Sequence, residues 1–353
     1  MQTDYIIVGQ GICGTFLSWE LEKLGASCLL IDDNYPATSS RVAAGVINPV
    51  TGRRIVRTWM IETLLPFALN AYNELGKVLN IDAIRETPII NLFPTPQMRN
   101  AFIERLGEEG EYLELAHDDH VFDPWLDYHF GHGQIRPAYT VQLPVLLTSY
   151  RNKLEKENKL ITGSFDSGEF VTGTNGVSWN GIKAKAIIFC DGIASATRPF
   201  FEKLPFALNK GEALLVKIKE LPQNFVYKKA ITLVPLGHDY FWAGASHEWD
   251  YTDALPTKEF KAKTMRQLQA WLKVPVVLEA ELASVRPATL ERRPFVGMHP
   301  HMPAVGILNG MGTKGCSLAP YFAMQFAKHL VEGSAIQPDA AIQRFNRILQ
   351  PVS

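Results

Sequence analysis

Residues 4–14 read DYIIVGQGICG, and this stretch decides the fold. A short apolar run, Tyr5–Val8, leads into Gly9, Gly11 and Gly14. The continuation TFLSWELEKLG places Phe16, Leu17, Leu21 and Leu24 at helical spacing and stops at Gly25. Strand, tight turn and helix follow one another without a spacer. A helix N-terminus presents unpaired N–H groups and the positive end of a dipole, which together suit a pyrophosphate. Each glycine has a mechanical reason: Gly9 permits the turn, Gly11 lets the backbone approach phosphates, and Gly14 lets helix pack on strand. Ile12 and Cys13 complete the turn. A second apolar run, SCLLIDD, ends on Asp32 and Asp33. Asp32 stands 18 positions after Gly14, near the spacing at which a carboxylate accepts hydrogen bonds from ribose hydroxyls. The unit predicts a bound dinucleotide, and this loop alone does not separate NAD from FAD.

With 353 residues the chain is long enough for two domains or one large one. Its 35 basic and 36 acidic residues nearly cancel, so no net field draws it to nucleic acid or to an anionic membrane. No apolar stretch reaches bilayer-spanning length, and the first strand begins where a secretory signal would otherwise stand. Cys13, Cys28, Cys190 and Cys316 are widely spaced, which reads as free thiols in a reducing compartment. The expected location is cytoplasmic.

After the first βαβ unit comes the loop NYPATSSRVAAGVINPVTGRR, then an amphipathic helix over about 60–79. PIINLFP reads as a strand, and residues 107–136 as loops and short pieces. A further helix is expected at about 142–156, with strands in KLITGS, EFVTGT, GVSWNG and AKAIIFCDG. Residues 211–250 are strand-rich, 257–272 read as a helix, and the chain closes with a strand, a second Gly-rich turn and a long helix. Nucleotide-fold pieces thus bracket a strand-rich middle, an arrangement common in flavoproteins.

Four blocks resemble the D-amino-acid-oxidase-type flavoproteins, the family of glycine oxidase and sarcosine oxidase, across nearly the whole chain. They are IIVGQGICG with Asp32, SSRVAAGVINPVTGRRIVRTW, SVRPATLERRPFVG and GILNGMGTKGCSLAP. The resemblance implies an α/β fold: an FAD-binding Rossmann-like domain of the glutathione-reductase-2 type with an inserted antiparallel-β (α+β) substrate domain. The division expected is 1–80, 137–208 and 290–353 for FAD, with 81–136 and 209–289 for substrate. It further implies FAD contacts from Ser39, Ser40, Arg41, Ala44 and Gly45 in the second block, and from Gly310, Gly312, Thr313, Lys314 and Gly315 in the fourth. The Asp-Gly turn at Cys190, Asp191 and Gly192 is expected against the cofactor. Arg286 matches the arginine that grips the substrate carboxylate in the amine oxidases it resembles. Arg54 and Arg57 resemble arginines near the flavin and that carboxylate, with contact to the flavin phosphates or to a carboxylate elsewhere as the other readings.

Chemistry adds to this. The helix opening at Gly315 would aim its positive end at the flavin edge where negative charge develops, and Lys314 would add a formal charge there or be an ordinary loop lysine. Tyr240 and Trp242 alternate on DYFWAGAS and share a face, either walling the pocket or filling core. No cysteine stands in ATLERRPF, where some relatives tether the flavin, so FAD is expected to be non-covalent.

The function implied is oxidation of the C–N bond of a small amine or amino acid by hydride transfer to flavin, with O2 or another acceptor completing the cycle. Two alternatives stay open. IIFCDGIASATR resembles the Asp-Gly fingerprint of NADPH-dependent flavin monooxygenases, though the Gly-Asp block those enzymes carry is missing from ILNGMGTKG. GMGTKGCSLAP also resembles the flavin domain that oxidises a tRNA wobble-uridine side chain, although the charge balance disfavours RNA. The stretch AHDDHVFDPWLDYHFGHG, with His117, His120, His129 and His132, fits no metal pattern; it reads as a surface loop or as a cover for the substrate entrance.

Overall fold

In the computed structural model, which describes residues 1–52, 54–173 and 176–349, the opening strand Tyr5–Val8 is buried at every position. It lies inside a six-stranded sheet in the order Leu160–Thr162, Cys28–Asp32, Tyr5–Val8, Ala186–Phe189, Met302–Asn309 and Phe295–His299. The first five strands are parallel and the last is antiparallel. Parallel strands covered on both faces need unbroken apolar runs, and YIIV and AIIF supply them.

Four helices build the core on one face: Ile12–Lys23, Ile61–Leu79, Leu143–Lys156 and Gly315–Glu332. Phe16 meets Tyr72 edge-on at 5.0 Å between ring centres. Pro320 has no N–H to offer the carbonyl of Cys316 four residues earlier, and the Tyr72 hydroxyl donates to that carbonyl instead, at 3.0 Å. On the opposite face the small sheet Phe170–Gly173, Gly176–Trp179 and Ile182–Ala184, with Phe165, Phe200 and Phe201, buries Ile6, Leu29, Ile187 and Phe189.

The second large sheet has eight strands, in the order Val277–Arg286, Asn209–Lys217, Tyr240–Gly244, Thr232–Gly237, Val226–Lys228, Ile89–Leu92, His132–Ile135 and Leu113–Leu115. Two of these, Leu113–Leu115 and His132–Ile135, fall in the stretch read as loops. Among the elements not expected from the sequence is the helix Pro96–Glu109. Thr95 accepts from the Met98 N–H at its start and Pro96 occupies its first position, a start signal present in PTPQM. Ile84–Glu86 pairs with Tyr139–Val141, which in turn pairs with Val46–Ile47.

The two faces of the eight-stranded sheet have different surroundings. One face carries Ile90, Tyr227, Leu233, Phe241, Leu214 and Val216, packed with Leu268 from the helix Lys258–Gln269 and with Trp271 and Leu272 from the turn beyond its C-terminus. The His-rich loop packs on this same face through Phe122, Leu126 and Tyr128. Its expected place over a substrate entrance is therefore corrected, because its aromatic and aliphatic residues bury it on the side of the sheet away from Arg286. His120 hydrogen-bonds Asp123 at 2.9 Å, and His132 is buried edge-on to Phe122 and Tyr128.

Candidate active site

Two helix N-termini meet at the mouth of the parallel sheet. The helix Ile12–Lys23 starts from Gly11, the helix Gly315–Glu332 from Lys314, and neither of these N-cap residues caps its helix with its own side chain. A methyl group placed on Gly315 would stand 3.5 Å from Ile12 Cγ2, so the two ends adjoin. Both dipoles present their positive ends to one region, which draws an anion to it. The glycines shape the same cradle. Gly9 has φ +98° and packs under Cys190, whose carbonyl oxygen would lie 2.6 Å from an added Cβ; on Gly14 a Cβ would overlap the carbonyl of Gly9. Ser40 accepts from the Ile12 N–H at 3.1 Å.

Asp32 sits at the end of its strand, oriented by three donors. Its carboxylate accepts from the Gln10 N–H at 2.8 Å, the Asn34 N–H at 2.9 Å and Arg151 Nη1 at 2.9 Å. Arg151 is buried and also donates to Thr162 and Glu155. Its signal in the sequence was its place in the helix Leu143–Lys156, on the stripe made by Leu143, Leu146, Leu147, Tyr150 and Leu154. A charged residue on an apolar stripe needs a partner, and the partner lies 119 positions away.

Other expected contacts separate into those that face the cradle and those held elsewhere. Asp33 is exposed and accepts from the Tyr35 N–H, and Arg41 donates to Asn34. Ser39 opens the short helix Ser39–Val42 beside them, with Ala44 just after it. Gly45, at φ +76°, packs against the Val141 carbonyl, so its missing side chain serves strand packing. Cys13 is buried in its helix. Asp191 accepts from Ser195 Oγ and from Arg198 Nε at 2.8 Å, and burial pushes its carboxyl upward. Asn309 ties this turn to the last parallel strand through the Gly192 carbonyl at 2.7 Å.

Arg286 ends its strand beside the second Gly-rich loop. Gly310 and Gly312 have φ +77° and +55°, and the Gly312 N–H donates to the Pro287 carbonyl at 3.2 Å. The guanidinium of Arg286 lies against Gly211, where any Cβ would overlap it. Nη1 donates to Asn209 Oδ1 at 2.8 Å and to the Ser246 carbonyl at 3.2 Å. Among the described residues no carboxylate pairs with Arg286, and burial alone lowers its pKa. Arginine stays charged under such a shift, so the site holds an uncompensated cation. Lys314, half-buried and also without a carboxylate partner among the described residues, has its pKa lowered by burial and by Arg293 and Arg292. Thr313 is exposed beside it.

Three candidates fall outside this group. Tyr240 pairs with Lys217, whose ammonium lies 5.1 Å from its ring. Lys217 is eight residues along the strand from Asn209, a distance of about 27 Å at strand rise, so Tyr240 does not stand beside Arg286. Trp242, two residues on, does reach the cofactor side, donating to the Val42 carbonyl at 2.9 Å. Arg54 is exposed. Arg57 is held by Glu109 at 2.8 Å and Glu62 at 2.6 Å, the carboxylate-elsewhere reading.

A family model described as FAD dependent oxidoreductase matches residues 4–329. The chain belongs to this FAD dependent oxidoreductase family. Solved structures share its fold at low identity. Glycine oxidase from Geobacillus kaustophilus superposes with a TM-score of 0.79 at 18% identity, covering 95% of this chain and 96% of that one. L-proline dehydrogenase from P. horikoshii gives 0.77 at 17%, covering 98% of each. Iminodiacetate oxidase from Chelativorans sp. BNC1 gives 0.73 at 17%, covering 94% and 96%. FAD fits the residues present: a tight turn in which Gly9 and Gly14 leave no room for a side chain against the backbone, two converging helix ends, and an oriented carboxylate at Asp32. No helix among the described residues is long and apolar enough to cross a membrane.

Proposed function

We propose that this FAD-dependent oxidoreductase oxidises the C–N bond of a small amine or amino acid bearing a carboxylate. The observation that carries the reading is Arg286, a half-buried guanidinium with no carboxylate partner among the described residues, whose neighbour Pro287 is bonded to the loop that closes the cofactor cradle. Burying a charge without a counterion is costly, and a substrate carboxylate supplies the missing one in a two-pronged geometry. FAD, when bound, supplies the two-electron acceptor. The chain's own residues do the rest. Asn209 and the Ser246 carbonyl hold the guanidinium by one nitrogen, leaving its other edge for the ligand. Gly9, Gly11 and Gly14 seat the pyrophosphate, and Asp32 takes the ribose. The Gly315 helix end and Lys314 favour negative charge on the cofactor's near edge. Fixing the carboxylate orients the Cα–H toward the cofactor, so positioning and electrostatics lower the barrier without a strong base.

The cofactor segments are 1–80, 137–208 and 290–353, and the substrate segments 81–136 and 209–289. That division is supported by the six-stranded sheet drawing its strands from the first set and the eight-stranded sheet from the second. FAD is held without a covalent bond, as four buried thiols support. Burial pushes Cys13, Cys28 and Cys316 up to about 12, far from a reactive thiolate. O2 or another acceptor returns the cofactor to its oxidised form. Against a monooxygenase stands Asp191, which is turned onto Ser195 and Arg198.

The test is anaerobic mixing of the yellow protein with glycine, sarcosine, D-amino acids, proline and NADPH. Bleaching by an amine is expected; bleaching by NADPH alone would overturn the proposal. Acid precipitation should release the colour into the supernatant.

A further inference from the structure

The sheet face that carries Arg286 carries a second cation. Cross-strand register places Asn91, Lys228, Thr232, Gly244 and Ala213 in one row. Strand alternation fixes the face independently. The neighbours Ile90, Tyr227, Leu233, Ala243 and Leu214 all enter the core on the far side, whereas Ile89, Val226 and Val234 enter the core on this side. Asn209 and Gly211 continue the same alternation along their strand from Ala213, so Lys228 and the Arg286 guanidinium over Gly211 look out from one surface. Three strand spacings, about 14 Å, separate the strand of Lys228 from that of Gly211. The ground between them is low: Gly211, Ala213 and Gly244 are buried and small, and the indole of Trp242 covers Gly244.

Lys228 is partly buried on this surface, and its ammonium has no hydrogen bond or ion pair among the described residues. Burial is the single influence that displaces its pKa, and it does so downward, with no acid near enough to oppose it. Such an ammonium has given up water without gaining a counterion. Its neighbour Lys229, by contrast, is tied down, donating to the Asp127 carbonyl at 2.7 Å.

We propose that the substrate carries a second carboxylate, bound by Lys228, while its first rests on Arg286. The substrate class is then an amino-dicarboxylic acid, or an N-substituted amino acid whose substituent ends in a carboxylate. Its middle crosses the low ground beside Trp242. This inference rests on the carboxylate anchor assigned to Arg286 above.

Non-oxidisable probes test it apart from turnover. Acetate, succinate, glutarate and adipate are titrated into the FAD-loaded protein by calorimetry. One of the dicarboxylates is expected to bind about tenfold or more tighter than acetate, as a second charge-assisted contact provides. Lys228→Met should remove that advantage and leave acetate affinity within about twofold, while Lys228→Arg restores part of it. Equal affinity of acetate and every dicarboxylate in the unaltered protein overturns the proposal, as does a preference that survives Lys228→Met. Acetate binding that survives Arg286→Ala overturns the anchor itself, a separate failure. Lys228→Gln serves if Lys228→Met does not fold.

Discussion

Replacing Gly211 by Ala tests the anchor without touching it. Gly211 lies in a strand with no left-handed backbone requirement, so the substitution suits the main chain. The new methyl would overlap the Arg286 guanidinium, which has to move by about 1.5–2 Å to regain a normal contact. That shift lengthens its bond to Asn209, 2.8 Å in the native arrangement, and misaims the edge left for a carboxylate. A charge-assisted hydrogen bond contributes about 1.5–3 kcal/mol, so carboxylate affinity should fall roughly 10- to 100-fold. Folding stability should change by less than about 1 kcal/mol, since the obstructing group is the end of a flexible side chain. The measurement is the substrate dependence of anaerobic flavin reduction, with Tm alongside. In an Arg286→Ala background the Gly211→Ala change should do nothing more, because the two act through one guanidinium. An unaltered apparent Kd in Gly211→Ala, or full additivity with Arg286→Ala, would refute the reasoning.

Gly14→Ala should abolish FAD retention, because the methyl overlaps the Gly9 backbone carbonyl, which cannot swing aside; flavin content after purification reports it. Tyr72→Phe should cost about 1–3 kcal/mol in denaturant unfolding, since it strands the Cys316 carbonyl that Pro320 cannot satisfy. Arg151→Leu breaks the buried pair with Asp32 and should cost about 3–5 kcal/mol together with weaker FAD binding, read by unfolding and by flavin titration. Burial lowers the pKa of His132, His247 and His299, so the unfolded chain binds protons that the folded one refuses. Their contribution to stability is complete above the unfolded value of 6.5 and is lost as pH falls from there toward the folded values. His132→Phe should flatten the decline in Tm below about pH 6.5.

What the sequence made legible was local. The Gly9-Gly11-Gly14 turn, the acid at Asp32 and the loop from Gly310 to Gly315 each carry their spacing within a few residues. Arg286 was legible through its Arg-Pro context. The remainder depends on who faces whom. Arg151 reads as one more helix arginine until Thr162 brings its strand beside Asp32. Lys228 and Lys229 are adjacent in the chain, and only the register of a strand three residues long puts them on different faces. Tyr240 and Trp242 share a face, as alternation requires, yet one stands beside Lys217 and the other beside Val42. Polarity alone did not reveal that the His-rich loop packs under the far face through three apolar residues.

The cradle for FAD joins Gly9–Gly14 to Gly310–Gly315, and Ala186–Phe189 is paired on one edge by Tyr5–Val8 and on the other by Met302–Asn309. A ribosome adding roughly 5–20 residues per second needs some 15–60 s to travel from the first loop to the second. For that interval the nascent chain holds an unfinished sheet with an open apolar edge and no place for its cofactor. The complete cradle, and with it a full seat for the cofactor, therefore exists only after synthesis has passed Gly315.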